Sequence, residues 1–523
     1  MMSKNAQKSI ISVLSSVGIL GIIVGAVSAV HVFRNGTLHQ DLLVWNNLGL
    51  AFRLDPLSIS MFIMITLLGF IVLRFSQNYL DGDARKNVFL ARLAATIASV
   101  ELLVLSGNLV QLFLFWMVTS FCLHYLLNFY SDRPQAFVAA RKKFIVARVS
   151  DISLFIAFAL IYIEFGTAQL EQIIQLQKAS GNLSPMLIAS TILLALAAFL
   201  KSAQFPTQGW LLEVVETPTP VSALLHAGLL NAGPFMIVRM SFLMHASTSA
   251  NLLLILVGGF TALYASVVFL TQPSIKVALG YSSIAHMGFM FLICGFGVYA
   301  AAMLHLIAHS FYKAHAFLSS GSAVDMVRSQ YIAQPKRKGN VMLVFSSIAV
   351  ATLIYALFCY LWGVNPQEDF ALMATGAIIV MGLSQIMVPT FDSEGSVKAV
   401  LISSAMAFVV ALSFFSLEHL AHHILHSQIP DYGNPNFFIK LAVVMVVLTF
   451  GAAVFIQLLA PKWTSSPEVY SWGVHLRNGF YANAYFDQLI GALKNKQLDH
   501  SSLESPRKEM MSSITVMKPV VSK

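Results

Sequence analysis

KSAQFPTQGWLLEVVETPTPVSALLHAG, residues Lys201 to Gly228, interrupts an otherwise apolar run with Pro206, Pro218, Pro220 and Gly209. It also carries Glu213 and Glu216, and is flanked by Lys201 and His226. Proline supplies no hydrogen bond inside a helix. Backbone freed at membrane depth is tolerated only where it is buried in protein or lines a cavity, and discontinuous helices are a recurring device of transporters. The stretch therefore reads as a broken helix beside a wet crevice rather than a proline-rich surface loop.

The surrounding composition supplies the membrane. Of 523 residues, 57% are hydrophobic and only 11% charged, and mean hydropathy is +0.75. A soluble chain carries about a quarter charged residues, so the composition excludes that class and reads as a polytopic membrane protein. The net charge of +9 points to basic loops rather than to nucleic acid. Cys122, Cys294 and Cys359 stand apart in apolar runs and suggest neither disulfides nor a metal site. Lys4 and Lys8 precede the apolar run Ile10 to Val30, which is too long for a signal-peptide core and reads as a retained helix.

Stretches of roughly 20 apolar residues span the hydrocarbon, and they predict an all-α chain of about fourteen transmembrane helices. The expected spans are 10–32, 56–76, 88–106, 108–130, 143–165, 184–204, 219–243, 250–271, 274–295, 297–321, 341–363, 370–390, 397–417 and 436–460. The chain thus divides into a transmembrane domain, 1–460, and a polar C-terminal tail, 461–523. Lys4, Lys8, Arg85, Lys86, Arg133, Arg141, Lys142, Lys143, Arg328, Lys336, Arg337 and Lys338 then fall on one side, which the positive-inside rule makes cytoplasmic. An even count returns the tail, with Lys462, Arg477 and Lys494, to that side. The Arg141–Lys143 and Lys336–Lys338 clusters read as topology signals against anionic headgroups, the former also as a docking point for a partner.

Ionisable groups in apolar segments are costly and mark ion pathways. Lys201, His226, Lys276, His305, His309 and Lys313 are such groups, and proton movement is the first function they suggest. His305, His309 and Lys313 recur every fourth residue, along one stripe of a helix. His286 has no evident partner and is expected to be packing. The run EHLAHHILH offers His419, His422, His423 and His426 on a helical face, as a polar helix, a proton-collecting mouth or, least of all, a metal site.

The opening stretch resembles the antiporter-like membrane subunits of respiratory complex I and of multisubunit cation/proton antiporters, with the pattern KSAQ-P-x-x-W-L-x-[DE] followed by PTPVSALxHA. SIKVALGYSSIAHMGFMF, Ser274 to Phe291, and HLIAHSFYKAHAFLSSGS, His305 to Ser322, continue the likeness in the same order. The resemblance implies two inverted five-helix repeats, each with a broken helix and a midplane lysine, joined by a hydrated polar axis. Lys201 is then the central lysine of the first half, His226 its neighbour, Lys276 a connecting lysine, and His305, His309 and Lys313 the second-half relay. Desolvation disfavours an ammonium ion and so readies a lysine for proton exchange, while histidine titrates near neutrality.

Two departures qualify that picture. Trp116 is followed by Met117 where complex I relatives carry a Trp-Glu pair, so Glu101, Glu213 and Glu216 become candidate replacement carboxylates. The second half shows no evident exit lysine, and Glu368 and Asp369 follow its next apolar run. FWMVTSFCLHYLLNFYSDRPQAFVAARKKFIVARVSD, residues 115–151, together with LRNGFYANAYFDQLIGAL, residues 476–493, is similar to the DabB-type membrane subunit of inorganic carbon accumulation complexes. That resemblance implies a bacterial inner-membrane protein that conducts protons or another cation and energises CO2 and bicarbonate uptake. The chemistry would sit in a DabA-type zinc subunit similar to carbonic anhydrase, leaving this chain no cofactor and no enzymatic role. The alternative is an ion-translocating subunit of a cation/proton antiporter or an NADH-quinone oxidoreductase complex.

Overall fold

The computed structural model describes residues 4–45, 48–130, 134–181, 183–214, 217–321, 340–365, 369–392, 397–431, 435–459 and 467–489. Helix α1 (Lys4–Asn35) leads through an antiparallel hairpin, β1 (Leu38–Trp45) and β2 (Leu48–Leu54), to α2 (Pro56–Tyr79), α3 (Lys86–Val104), α4 (Leu109–Leu127) and α5 (Pro134–Phe165). The short α6 (Leu170–Ser180) precedes α7 (Pro185–Lys201), α8 (Gly209–Glu213), α9 (Thr219–Leu224), α10 (Ala232–Arg239) and α11 (Ser241–Met244). Then come α12 (Thr248–Phe269), α13 (Ile275–Gly295), α14 (Tyr299–Leu318), α15 (Val341–Leu361), α16 (Phe370–Phe391), α17 (Val397–Leu425) and α18 (Phe437–Leu459). The tail contributes α19 (Pro467–Arg477) and α20 (Ala482–Leu489).

Among the described residues twelve spans are long and apolar enough to cross a bilayer. The shorter α7 and the histidine-bearing α14 complete the expected fourteen crossings. They divide into α1 and α2, a five-helix set of α3, α4, α5, broken α7/α8 and α9–α10, a second set of α12 to α16, each of which runs unbroken over its described residues although a second broken helix is expected there, and the trailing α17 and α18. The fold is that of an all-α polytopic membrane protein. The hairpin is an addition that the sequence reading did not foresee.

Caps define the end from which several helices enter. Asp55 accepts from the Ser58 amide at 2.7 Å, Asn108 from Gln111 at 2.8 Å, Ser184 from Leu187 at 3.2 Å and Ser247 from Ala250 at 3.3 Å. Pro56 and Pro185 occupy first-turn positions, where no amide is needed. Small residues let other helices approach closely, which is the usual packing device in lipid. A Cβ on Gly258 would lie 2.7 Å from the Gly288 carbonyl oxygen, and one on Gly288 would lie 2.7 Å from the Ala262 nitrogen, so α12 and α13 touch backbone to backbone.

The two ends of the bundle are distinct. At the hairpin end Arg53 donates to Asp55 at 2.7 Å, to Glu171 at 2.7 Å and to Gln428 at 3.0 Å, and Arg239 closes on Asp55 and Ser58. At the other end the tail folds back onto the bundle. Tyr264 donates to the Gly479 carbonyl at 2.8 Å, Gln272 to the Arg477 carbonyl at 3.0 Å and Asn483 to Glu213 at 3.1 Å. Gly209 has no room for a side chain because Asn483 presses against it. Gly479, at φ 57°, makes the left-handed turn that redirects the chain between α19 and α20.

Candidate proton pathway

The first broken helix occurs where the opening stretch predicts it. Helix α7 ends at Lys201, residues 202–208 leave the helical path, and α8 resumes at Gly209. Ala203 is fully buried in the left-handed region at φ 53°, a conformation a non-glycine residue holds only when its surroundings enforce it. Between α9 and α10 the Leu230 amide reaches back five residues to the Leu225 carbonyl at 3.1 Å. The resulting π turn, a form frequent at functional sites, contains His226.

The Lys201 amine donates to the Trp116 carbonyl at 2.8 Å, to Thr119 at 3.0 Å and to Ser120 at 2.7 Å. It also stands 4.5 Å from the centre of the Trp116 ring, a cation–π contact. Met117 thus leaves the ammonium among neutral acceptors, and Lys201 forms no ion pair among the described residues. Glu101 does not fill the role; it accepts from Thr66 of α2 at 2.9 Å. Glu213 pairs instead with Lys142, and Glu216 lies outside the described residues. The carboxylate that acts electrostatically on Lys201 is Asp151, itself bound to Arg148 at 2.7 Å.

The reading of Arg141, Lys142 and Lys143 as a headgroup-facing topology signal needs correction for the two lysines. Helix α5 begins at Pro134, well before the expected start at 143, so both lysines lie inside it and are 1% and 5% exposed. Lys142 is clasped by Glu213 and Asp487, while Lys143 donates to the Ser120 carbonyl at 2.6 Å. Arg141 stays exposed, and Arg133, Arg328 and Lys336 to Lys338 lie outside the described residues.

The second site is built on two antiparallel helices. Along α14, His305, His309 and Lys313 follow the expected stripe, and Lys313 donates to the Leu279 carbonyl of α13 at 3.2 Å. His286 of α13 is not mere packing: its Nδ1 lies 3.0 Å from His305 Nε2, and its ring centre is 4.9 Å from that of His309. Neither ring nitrogen of buried His309 has a protein partner, which leaves both for water or a transferred proton. His226 stacks on Phe317 at 4.3 Å and interacts electrostatically with Lys313. Lys276 lies one turn before Leu279, half-buried near the start of α13.

Apolar side chains and a few polar contacts lie between the two sites. A small cavity beside Lys201 is lined by Leu225, Leu229 and Leu230 as well as Thr119, Ser120 and Lys143. Around it Ser202 donates to the Leu230 carbonyl at 2.6 Å, and Asn231 donates to Ser310, next to His309, at 2.7 Å. The structure therefore brings together His226, His286, His305, His309 and Lys313 in one cluster and Lys201 with Lys143 in another, with Lys276 half-buried at the start of α13. The histidine run lies apart, at the hairpin end of α17, where the His423 and His426 rings stack at 6.1 Å. Among the described residues no group of three His, Cys, Asp or Glu is placed to hold a metal. Asp369 accepts from the Asn365 amide at 2.9 Å, and Glu368 lies outside the described residues.

Comparisons with known proteins bear on the family of the chain. The family model described as NADH:quinone oxidoreductase/Mrp antiporter, TM, matches residues 106–358, and that of the complex I chain 5 N-terminus matches 46–90. The probable inorganic carbon transporter subunit DabB2 of Halothiobacillus neapolitanus is 35% identical over 84% of this chain and 80% of its own length. NADH-quinone oxidoreductase subunit L of Escherichia coli is 36% identical over 60% of this chain and 53% of its own length. In fold, a chain of the Mrp complex from Dietzia sp. DQ12-45-1b superposes with a TM-score of 0.60 at 22% identity, covering 98% of this chain and 64% of that one. On its residues, its architecture and these relatives, the chain belongs to the DabB-type inorganic carbon transporter subunits, within the antiporter-like superfamily shared with complex I and Mrp complexes.

Proposed function

We propose that this chain is the proton-conducting, or cation-conducting, membrane subunit of a bacterial inner-membrane system that takes up CO2 and bicarbonate. The series of lysines and histidines along one axis, Lys201, His226, Lys313, His309 and His305, carries this reading, because such groups are retained in a bilayer interior where ions pass. The DabB-type relatives supply the inorganic carbon. The partner is a DabA-type subunit that holds the zinc and performs the hydration, and it docks on the tail-bearing end, which is cytoplasmic with both termini. A proton crossing 100 mV releases roughly 2.3 kcal/mol, enough for more than a tenfold bias in the partner's equilibrium.

Inorganic carbon accumulation by cells carrying Lys201→Ala or Lys313→Ala tests this, with subunit assembly checked in parallel. Each variant should assemble and lose uptake. Intact uptake in both would mean that the chain is only an anchor. The proteins that copurify decide the partner: a zinc protein supports the proposal, and quinone-reducing or antiporter subunits reverse it.

A further inference from the structure

We propose that Lys143 is a second proton-exchanging lysine, paired with Lys201 through Ser120. This rests on the proton-conducting reading above and extends it to a residue outside the expected pathway. Ser120 meets both amines, accepting from Lys201 at its hydroxyl and from Lys143 at its carbonyl, at 2.7 and 2.6 Å. Both side chains line the same cavity, with Thr119, Trp210, Leu225, Leu229 and Leu230.

Counting charge gives the argument its force. The titratable and charged groups acting on Lys143 are Lys201 from α7, Cys122 and His124 from α4, and Arg148 and Asp151 from its own helix. Among the described residues Asp151 is the one carboxylate acting on Lys143, and Arg148 already holds it at 2.7 Å. With both lysines protonated, two positive charges would stay uncompensated in a largely desolvated place, where a group releases its proton instead. The pair therefore carries one exchangeable proton between two amines. A counter-anion is not the answer: the cavity volume of about 10 Å³ admits about one water and no polyatomic oxyanion.

The transfer balances simply. An N–H bond of the Lys201 ammonium breaks with its electron pair staying on nitrogen, and the proton, passed by the Ser120 hydroxyl or one water, bonds to the lone pair of Lys143. Lys142, the preceding residue of α5, faces Glu213 and Asp487 at the tail-bearing end. The lysine pair thus lies on the way from Lys201 to that end.

Proton influx driven by an imposed potential tests this in liposomes loaded with a pH dye, using the full-length chain in the complex in which it is isolated. Arginine keeps the charge and the donors but does not deprotonate. Lys143→Arg should therefore lower influx about tenfold or more, and Lys143→Met likewise. Lys143→His should recover part of the flux with a more acidic pH profile. A Lys143→Arg complex that conducts at the wild-type rate overturns the proposal and leaves Lys143 a structural donor to Ser120. If Lys201→Met abolishes influx in the same series, the proton-conducting reading survives that failure; if Lys201→Met also conducts normally, the reading itself fails.

Discussion

The two halves solve the same problem, keeping ionisable groups inside a bilayer, with different chemistry. In the first half, Lys201 and Lys143 rest on carbonyl and hydroxyl oxygens and on an indole face, whereas Lys142 is matched by carboxylates. In the second half, three imidazoles touch one another and lead to a lysine whose one protein acceptor is a backbone carbonyl. Lysines separated by hydroxyls favour discrete transfers, whereas imidazoles in contact share protons and titrate as a group. The halves should therefore respond differently to substitution.

The largest expected effect lies at the ion cluster that ties the first half to the tail. Lys142→Met leaves Glu213 and Asp487 without their cation in a partly buried site, at a cost somewhat below the roughly 3–5 kcal/mol of a fully buried pair. The detergent-solubilised protein should lose much of its thermal stability, and protease should reach the tail; an unchanged melting curve would mean that the cluster is solvated. A smaller effect is expected in the second half. His286→Phe keeps the ring volume but removes the partner of His305, and proton flux in liposomes should fall by about tenfold, or roughly 1.4 kcal/mol in the barrier, without loss of stability. If flux is unaltered, His305 and His309 suffice and the three-imidazole picture is wrong.

The smallest effect is a pH-dependent one at the rim of the first half. The Arg85 amide at 2.7 Å and the Tyr130 hydroxyl at 2.8 Å donate to Asp83, and these bonds hold its carboxyl below the usual 3.8. A depressed carboxylate adds stability above its unfolded value and loses it as the pH falls through the folded one. Asp83→Asn should lower the melting temperature slightly at neutral pH, and the gap should close on acidification below 3.8. A gap that persists in acid would trace the effect to shape rather than charge.

Much of this was readable from the sequence because the bilayer imposes simple rules. Apolar run length gives the crossings, the prolines around Pro206 give the first broken helix, and the four-residue spacing gives the His305–Lys313 stripe. Other parts depend on contacts between distant segments. His286 gains its partner only when α13 packs antiparallel to α14. Lys142 and Lys143 read as headgroup-facing topology signals because a basic run beside an apolar stretch ordinarily marks a membrane surface. The extra helical turns from Pro134, and carboxylates as far away as Asp487, place them inside. The hairpin of residues 38–54 lacked a long apolar run, and the capping network at its end joins residues from Asp55 to Gln428.

The clasp on Lys142 also bears on how the protein is made. Asp487 emerges from the ribosome after every described crossing, so Lys142 waits with half of its eventual counter-charge until α20 has been made. A chain interrupted before α20 thus holds Lys142 with one carboxylate in place of two, and arrival of α20 completes the first half.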